Sequence, residues 1–128
     1  MSWHKYGNRK VAVDGIVFDS IREAHRYKEL KLLQQAGKIS DLRLQVPFEL
    51  VPALYEHSGE VYTKGTKKGQ PKRGKCLEKA VVYYADFVYT ECGRQIVEDT
   101  KGMRTKDYII KRKLFRQIYG QQYDFREV

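Results

Sequence analysis

Apolar and polar positions alternate in short runs along most of this chain, and at two places the alternation gives way to a helical period. The run KVAVDGIVF alternates on either side of Asp14-Gly15, a strong short hairpin signal, and predicts a small ribbon from Val11 to Phe18. SIREAHRYKELKLLQQAG follows, built of good helix formers and closed by Gly37, and predicts a helix over about residues 21–36. Glu23, Tyr27 and Leu30 share one of its faces, which turns a glutamate toward apolar neighbours. LRLQVPFELVP predicts a strand over about residues 42–50, with Pro47 marking an edge or a bulge and Gln45 standing as a polar residue in apolar company. VVYYADFVY and IVEDTK, joined by a turn at ECGR, predict two paired strands. KDYIIKRKLFRQIYG predicts a second amphipathic helix over about residues 107–119, ended by Gly120, with Ile110, Leu114 and Ile118 as its apolar stripe and Lys113 and Arg116 off it. QYDFREV supplies one last strand.

One stretch breaks the pattern. From about residue 56 to 79 four glycines are interleaved with Lys64, Lys67, Lys68, Lys72, Arg73, Lys75 and Lys79. Such a segment buries little, and reads as a basic loop or an extended ribbon, either functional or a solvated linker. Residues 1–10 read as a flexible basic arm in which Trp3, His4, Tyr6, Arg9 and Lys10 mix aromatic and cationic groups. At 128 residues the chain is a single domain with one real core.

Composition narrows the class. No apolar run approaches the roughly 20 residues that span a membrane, and the polar N-terminus carries no secretory signal, so a cytoplasmic protein is expected. Cys76 and Cys92 form neither a CxxC pair nor a disulfide framework. Twenty-five Lys and Arg against sixteen Asp and Glu give a net charge of +9, which favours a polyanionic partner, nucleic acid first. His4, His25 and His57 are scattered and make no metal site.

The candidate chemistry lies in the two paired strands, which carry acid where a sheet should be apolar. Asp86 stands within the first arm, and Asp99 and Lys101 lie two residues apart on the second, hence on one face of it. A bulge would bring Glu98 to that face instead of Asp99. A buried carboxylate needs a partner, and a metal ion is one. Glu23 has two readings. With Ser20 three residues before it, it completes a capping box; turned inward, it joins the acids. Asp99 and Lys101 also admit a plain reading as an exposed salt bridge worth at most about 1 kcal/mol.

The order helix, strand, strand, strand, helix, strand, with Asp86 in the second strand and VEDTKG in the third, resembles the PD-(D/E)xK nuclease superfamily over about residues 20–127. The pattern GIVFDSIREAHRYKELKLLQQAGKI, LRLQVPFEL, YYADFVY, VEDTKG is similar to that of small phage-encoded, Holliday junction resolvase-like members. The resemblance implies an α/β fold with a restriction-endonuclease-like core, a central mixed β-sheet flanked by helices and preceded by the small hairpin. It implies a Mg²⁺-dependent endodeoxyribonuclease, with Mn²⁺ as a substitute, in which Asp86, Asp99 and Glu23 hold the metal and Lys101 steers the attacking water. The chain departs from the motif in having Ala85, not proline, before Asp86. Expected partners are DNA, four-way junctions in particular, and a second copy of the chain, since paired symmetric cuts need two sites. Lys64, Lys67, Lys68, Lys72, Arg73 and Lys75, with Arg104, Lys106, Lys111, Arg112 and Lys113, are expected to grip phosphates, and Gln45 is an accessory candidate. The rival readings are a nicking or restriction-like endonuclease on duplex or flapped DNA, and a noncatalytic DNA-binding module.

Overall fold

The computed structural model describes residues 9–128; Trp3, His4 and Tyr6 lie outside the described residues. The elements are β1 (Val11–Val13), β2 (Ile16–Phe18), α1 (Ile21–Gln35), β3 (Ser40–Val51), β4 (Leu54–Val61), β5 (Pro71–Glu78), β6 (Val81–Glu91), β7 (Arg94–Asp99), α2 (Lys106–Tyr119) and β8 (Asp124–Glu127). The fold is α/β, with a four-stranded mixed sheet in the order β3-β6-β7-β8. β3, β6 and β7 run antiparallel in turn, whereas β8 returns parallel to β7 through α2.

Local chemistry accounts for most boundaries. Asp14 and Gly15 both take positive φ (52° and 77°), the turn that joins two strands with matched twist, and Cys92-Gly93 repeats it (51° and 78°) between β6 and β7. Ser20 caps α1 by accepting from Glu23 N–H at 3.1 Å. At the other end Gly37 lies in the left-handed region (φ 76°), with Gly37 N–H donating to Gln34 O and Lys38 N–H to Leu33 O, a Schellman stop. Thr105 caps α2 through Tyr108 N–H. Pro47, which has no N–H to donate, is carried by the edge strand β3.

Two cores lie on opposite faces of the sheet. Phe18, Ala24, Tyr27, Leu30, Ile39, Phe87, Tyr89 and Ile96 pack under α1 and the small hairpin. Phe48, Leu50, Tyr83, Ala85, Val88, Val97, Tyr108 and Phe115 pack under α2. These memberships reveal a change of facing. On β6, Tyr83 and Ala85 face α2, yet Phe87 and Tyr89, of the same parity, face α1. On β3, Leu42 and Leu44 pack toward α1 and Val46, Phe48 and Leu50 toward α2. The register from Arg43↔Val88 to Glu49↔Val82 does not slip, but no ladder partner joins Gln45 to Asp86, and Gln45 has φ 49°. A non-glycine residue held there costs roughly 1–3 kcal/mol, and such strain concentrates at functional sites. Both strands therefore turn over together at Gln45 and Asp86.

Of the two readings of the basic stretch 56–79, loop or extended ribbon, the ribbon is the one found: a two-stranded antiparallel sheet, β4 paired with β5. One expectation is corrected in part: of the α2 stripe, Leu114 packs against the core, but Ile110 and Ile118 are exposed, and Tyr108 and Phe115 are the residues fully buried. Aromatic stacking decides this, since the Phe115 ring meets Phe48 at 5.0 Å, Tyr119 at 5.3 Å and Tyr83 at 5.5 Å. Phe115→Ala should then cost roughly 3–5 kcal/mol by urea denaturation, whereas Ile110→Ala should stay within about 0.5 kcal/mol. Equal losses would restore the aliphatic stripe.

Candidate active site

β6 and β7 pair without a slip, Phe87↔Glu98 through Glu91↔Arg94, so their side chains alternate cleanly between the two faces. Glu98 falls on the α1 side. It is fully buried and held by Arg26, whose Nε and Nη2 donate at 2.6 and 2.8 Å, and by the Tyr89 hydroxyl at 2.7 Å. The forked pair raises the Arg26 pKa, and burial followed by the Glu98 contact pushes Tyr89 up to about 12. With its charge answered by three donors, Glu98 is a structural anchor between α1 and β7, and the alternative that placed it at a metal is corrected.

Asp99 falls on the other face, one step beyond the Phe87↔Glu98 pair and so beside Asp86. It too is fully buried, and its Oδ2 accepts from the Tyr83 hydroxyl at 2.6 Å. Lys101 Nζ lies 3.2 Å from Oδ1, an ion-pair contact that still leaves this oxygen without a hydrogen-bond partner of good geometry. β7 ends at Asp99, but the ladder continues, with Val128 N–H donating to Asp99 O and Lys101 N–H to Val128 O, which keeps Asp99 and Lys101 on one side. The Lys101 ammonium also stands 4.6 Å from the Tyr108 ring.

Asp86 occupies the turnover point. Its Oδ1 accepts from Gln45 Nε2 at 3.1 Å and its Oδ2 from Thr100 N–H at 2.9 Å. Gln45, the accessory candidate, thus holds Asp86 from the strained edge strand. Glu23 is buried at the start of α1. Its N–H donates to the Ser20 hydroxyl, its Oε2 accepts from Asp19 N–H at 3.3 Å where a capping box would take Ser20 N–H, and its carboxyl adds to the rise of the Asp86 pKa. Burial is the main cause of that rise. Burial and the adjoining Asp86 carboxyl push Asp99 up to about 7, against the opposing pull of Tyr83 and Lys101. Tyr83 is raised, by burial and by Asp99, so it stays a hydroxyl and keeps donating.

Asp86, Asp99, Lys101, Glu23 and Gln45 are thereby brought together, between two shallow clefts. One, of about 370 Å³, is lined on the α1 side by Arg22, His25, Arg26 and Thr100. The other, of about 250 Å³, is lined on the α2 side by Tyr83, Tyr84, Lys101, Tyr108 and Lys111. The expected cations divide. Lys111 lies beside Lys101, and Lys106 and Lys113 are exposed on α2. Arg104 and Arg112 instead reach Glu127 at 2.6 and 3.6 Å, so they are engaged within the chain. Lys64, Lys67, Lys68, Lys72, Arg73 and Lys75 belong to the ribbon, away from the acids. Tyr83, Thr100 and Arg26 were not foreseen. Of these, only Arg26 left a trace in the sequence, three residues after Glu23 and so on the same helix face.

The oxygen set suits a hard cation. Asp86 and Asp99 are adjoining carboxylates, and Asp99 Oδ1, although 3.2 Å from Lys101 Nζ, has no hydrogen-bond partner among the described residues. Among the described residues no three His, Cys, Asp or Glu side chains form a ready cage, so an ion here would complete its shell with water or substrate oxygens, as Mg²⁺ does when held by one or two carboxylates.

Fold and site together define an α/β domain with a buried pair of carboxylates and a lysine at one end of its sheet. The chain belongs to the family described as "Protein of unknown function (DUF1064)", which it matches over residues 3–126. No curated protein and no solved structure matches it. No helix among the described residues is long and apolar enough to cross a membrane.

The raised Asp99 has a signed consequence. Without metal, the folded chain keeps a proton that the unfolded chain releases near 3.8, so this group's stabilisation is full below about 3.8 and lost as pH rises through about 7. Asp99→Asn stays neutral throughout. Its unfolding free energy relative to the parent, measured in urea with EDTA, should therefore rise from pH 4 to 8; a flat difference would mean that Asp99 ionises normally.

Proposed function

We propose that this protein is a metal-dependent endodeoxyribonuclease of the PD-(D/E)xK type, hydrolysing phosphodiester bonds with water as nucleophile. The observation that carries the reading is the convergence of the buried Asp86 and Asp99 carboxyls with Lys101, whose Nζ lies 3.2 Å from Asp99 Oδ1. The order α1, β3, β6, β7, α2, β8 supports it, since the β4–β5 ribbon interrupts the restriction-endonuclease-like succession without altering it.

Asp86 and Asp99 would hold Mg²⁺, or Mn²⁺ in its place, with Glu23 a further ligand or a group that orients water. The cation would supply Lewis-acid stabilisation and a water of lowered pKa. The chain's own groups do the rest. Gln45 and Thr100 N–H fix the Asp86 oxygens, and Tyr83 fixes Asp99. Asp99 would hold such a cation as the deprotonated carboxylate. Lys101, on the open side of Asp99, places an ammonium where a scissile phosphate would enter and offsets charge as the leaving oxygen departs. Lys111 lines the same cleft. Four-way DNA junctions are the proposed substrate, cut by paired nicks from a homodimer; this choice rests only on the resemblance of the sequence pattern to resolvase-like members.

A labelled four-way junction and the matching linear duplex, each with Mg²⁺ and with EDTA, test the proposal. Symmetric nicks in the junction alone are expected, abolished by chelation and reduced on the order of 100-fold or more in Asp86→Ala and Lys101→Ala. Equal cleavage of duplex would replace the junction by a restriction-like or nicking activity, and binding without cleavage would leave a noncatalytic DNA-binding module. Glu23→Gln keeps an oxygen for Asp19 N–H but removes the charge; full activity in this variant would confine Glu23 to capping.

A further inference from the structure

The β4–β5 ribbon takes no part in the site. It is a two-stranded sheet of its own, exposed along nearly its whole length, and among the described residues no other element packs on it substantially. An isolated two-stranded hairpin is at best marginal in water, yet this one is carefully built. Tyr62 N–H donates to Gln70 O at 3.0 Å and Gly69 N–H to Tyr62 O at 2.8 Å, closing the tip. Ser58 Oγ donates to Lys72 O at 2.6 Å across the strands. At Gly74 any Cβ would lie 2.4 Å from Glu56 O, so a glycine permits the close pairing.

Its charge is mixed but net basic: residues 61–75, VYTKGTKKGQPKRGK, carry six Lys and Arg and no acid, while across the strands Glu60, at the tip end of β4, faces Lys72 at 4.0 Å and Glu78 closes the base opposite Leu54. β4 alone, eight residues long, extends about 26 Å at some 3.3 Å per residue. A strand pair of this kind fits the major groove of B-DNA, about 12 Å wide.

We infer that the ribbon is an arm that grips double-stranded DNA at a distance from the cut, through the phosphates flanking a groove. Duplex is favoured over unpaired strands by the aromatics. Single strands are held by free aromatic faces on which bases stack, but Tyr55 lies under the Arg73 guanidinium at 4.1 Å, and the Tyr62 ring is attended by Lys72 at 5.6 Å and Lys67 at 5.8 Å. Both tyrosines are half-buried. They spread cations and stiffen the arm instead of offering a platform. The inference deepens the reading of this chain as a DNA-acting enzyme and rests on it.

The test uses the full chain in EDTA, with a fluorescent duplex of about 30 base pairs and a single strand of the same length, titrated across about 50–200 mM salt. Lys64, Lys68 and Lys75 of the arm are exchanged for Gln, and compared with a charge-matched triple exchange at Lys28, Lys31 and Lys38 on and beside α1. The arm variant should lose at least tenfold in duplex affinity, and its salt slope should fall by about 3, near 0.9 per lost phosphate contact. The α1 variant should change little, and single-strand binding should suffer less than duplex binding. Equal losses in the two variants would reduce the effect to net charge, an unchanged duplex slope would remove the arm from the interface, and an equal loss on single strands would overturn the duplex assignment. Cleavage of a four-way junction with Mg²⁺ is scored separately: arm-dependent duplex binding with no cleavage of the junction would overturn the nuclease reading and leave the arm standing.

Discussion

A carboxylate taken out of water must have its charge answered, and β7 ends on two that are answered in opposite ways. Glu98 is satisfied in full by the Arg26 fork and the Tyr89 hydroxyl, and this contact ties α1 to the middle of the sheet. Asp99, one residue on, receives one hydrogen bond and one imperfect contact with Lys101, and burial beside Asp86 pushes its pKa up to about 7. The first arrangement makes the second possible. Because Arg26 fixes α1 against Glu98, Glu23, three residues earlier on the same helix, is delivered to Asp86.

The turnover of β3 and β6 at Gln45 and Asp86 has the same economy. A regular strand would commit Asp86 to one face of the sheet, within one of the two cores. Reversing both strands at one position lets Asp86 be approached from Glu23 on the α1 side and from Asp99 on the α2 side, while the apolar residues before and after it remain buried. The left-handed backbone at Gln45 is the cost, and the amide that donates to Asp86 comes from that same residue.

Much of this was legible in the sequence, because the signals were local. Asp14-Gly15, Gly37, the Ser20 cap and the period of α1 each concern residues within a few positions of one another, and each appears where the pattern placed it. Asp86, Asp99 and Lys101 were legible by strand parity, which holds because β6 and β7 pair without a bulge. What escaped depends on contacts between distant segments. The buried face of α2 is chosen by Phe48, Tyr83 and Tyr123, aromatic neighbours that a helical wheel does not contain. Tyr83 looks like one more aromatic in VVYYADFVY until the register places its hydroxyl on Asp99. The ribbon was legible only beside a loop because its glycines and lysines have low strand propensity, and cross-strand pairing overrides them.

The position of the ribbon within the chain bears on how the molecule assembles. β3 and β6 are separated by residues 52–80, and pairing them directly would mean closing a loop of that length, with its entropic cost. When β4 and β5 pair first, the unpaired connections shrink to Pro52-Ala53 on one side and Lys79-Ala80 on the other. The ribbon then works as a zip fastener, drawing Val51 to Val81 and feeding the longer strands into register. Whether Gln45 arrives opposite Asp86 is settled, in this view, about twenty residues from either of them along an exposed hairpin, and the order of folding becomes part of how the site is made.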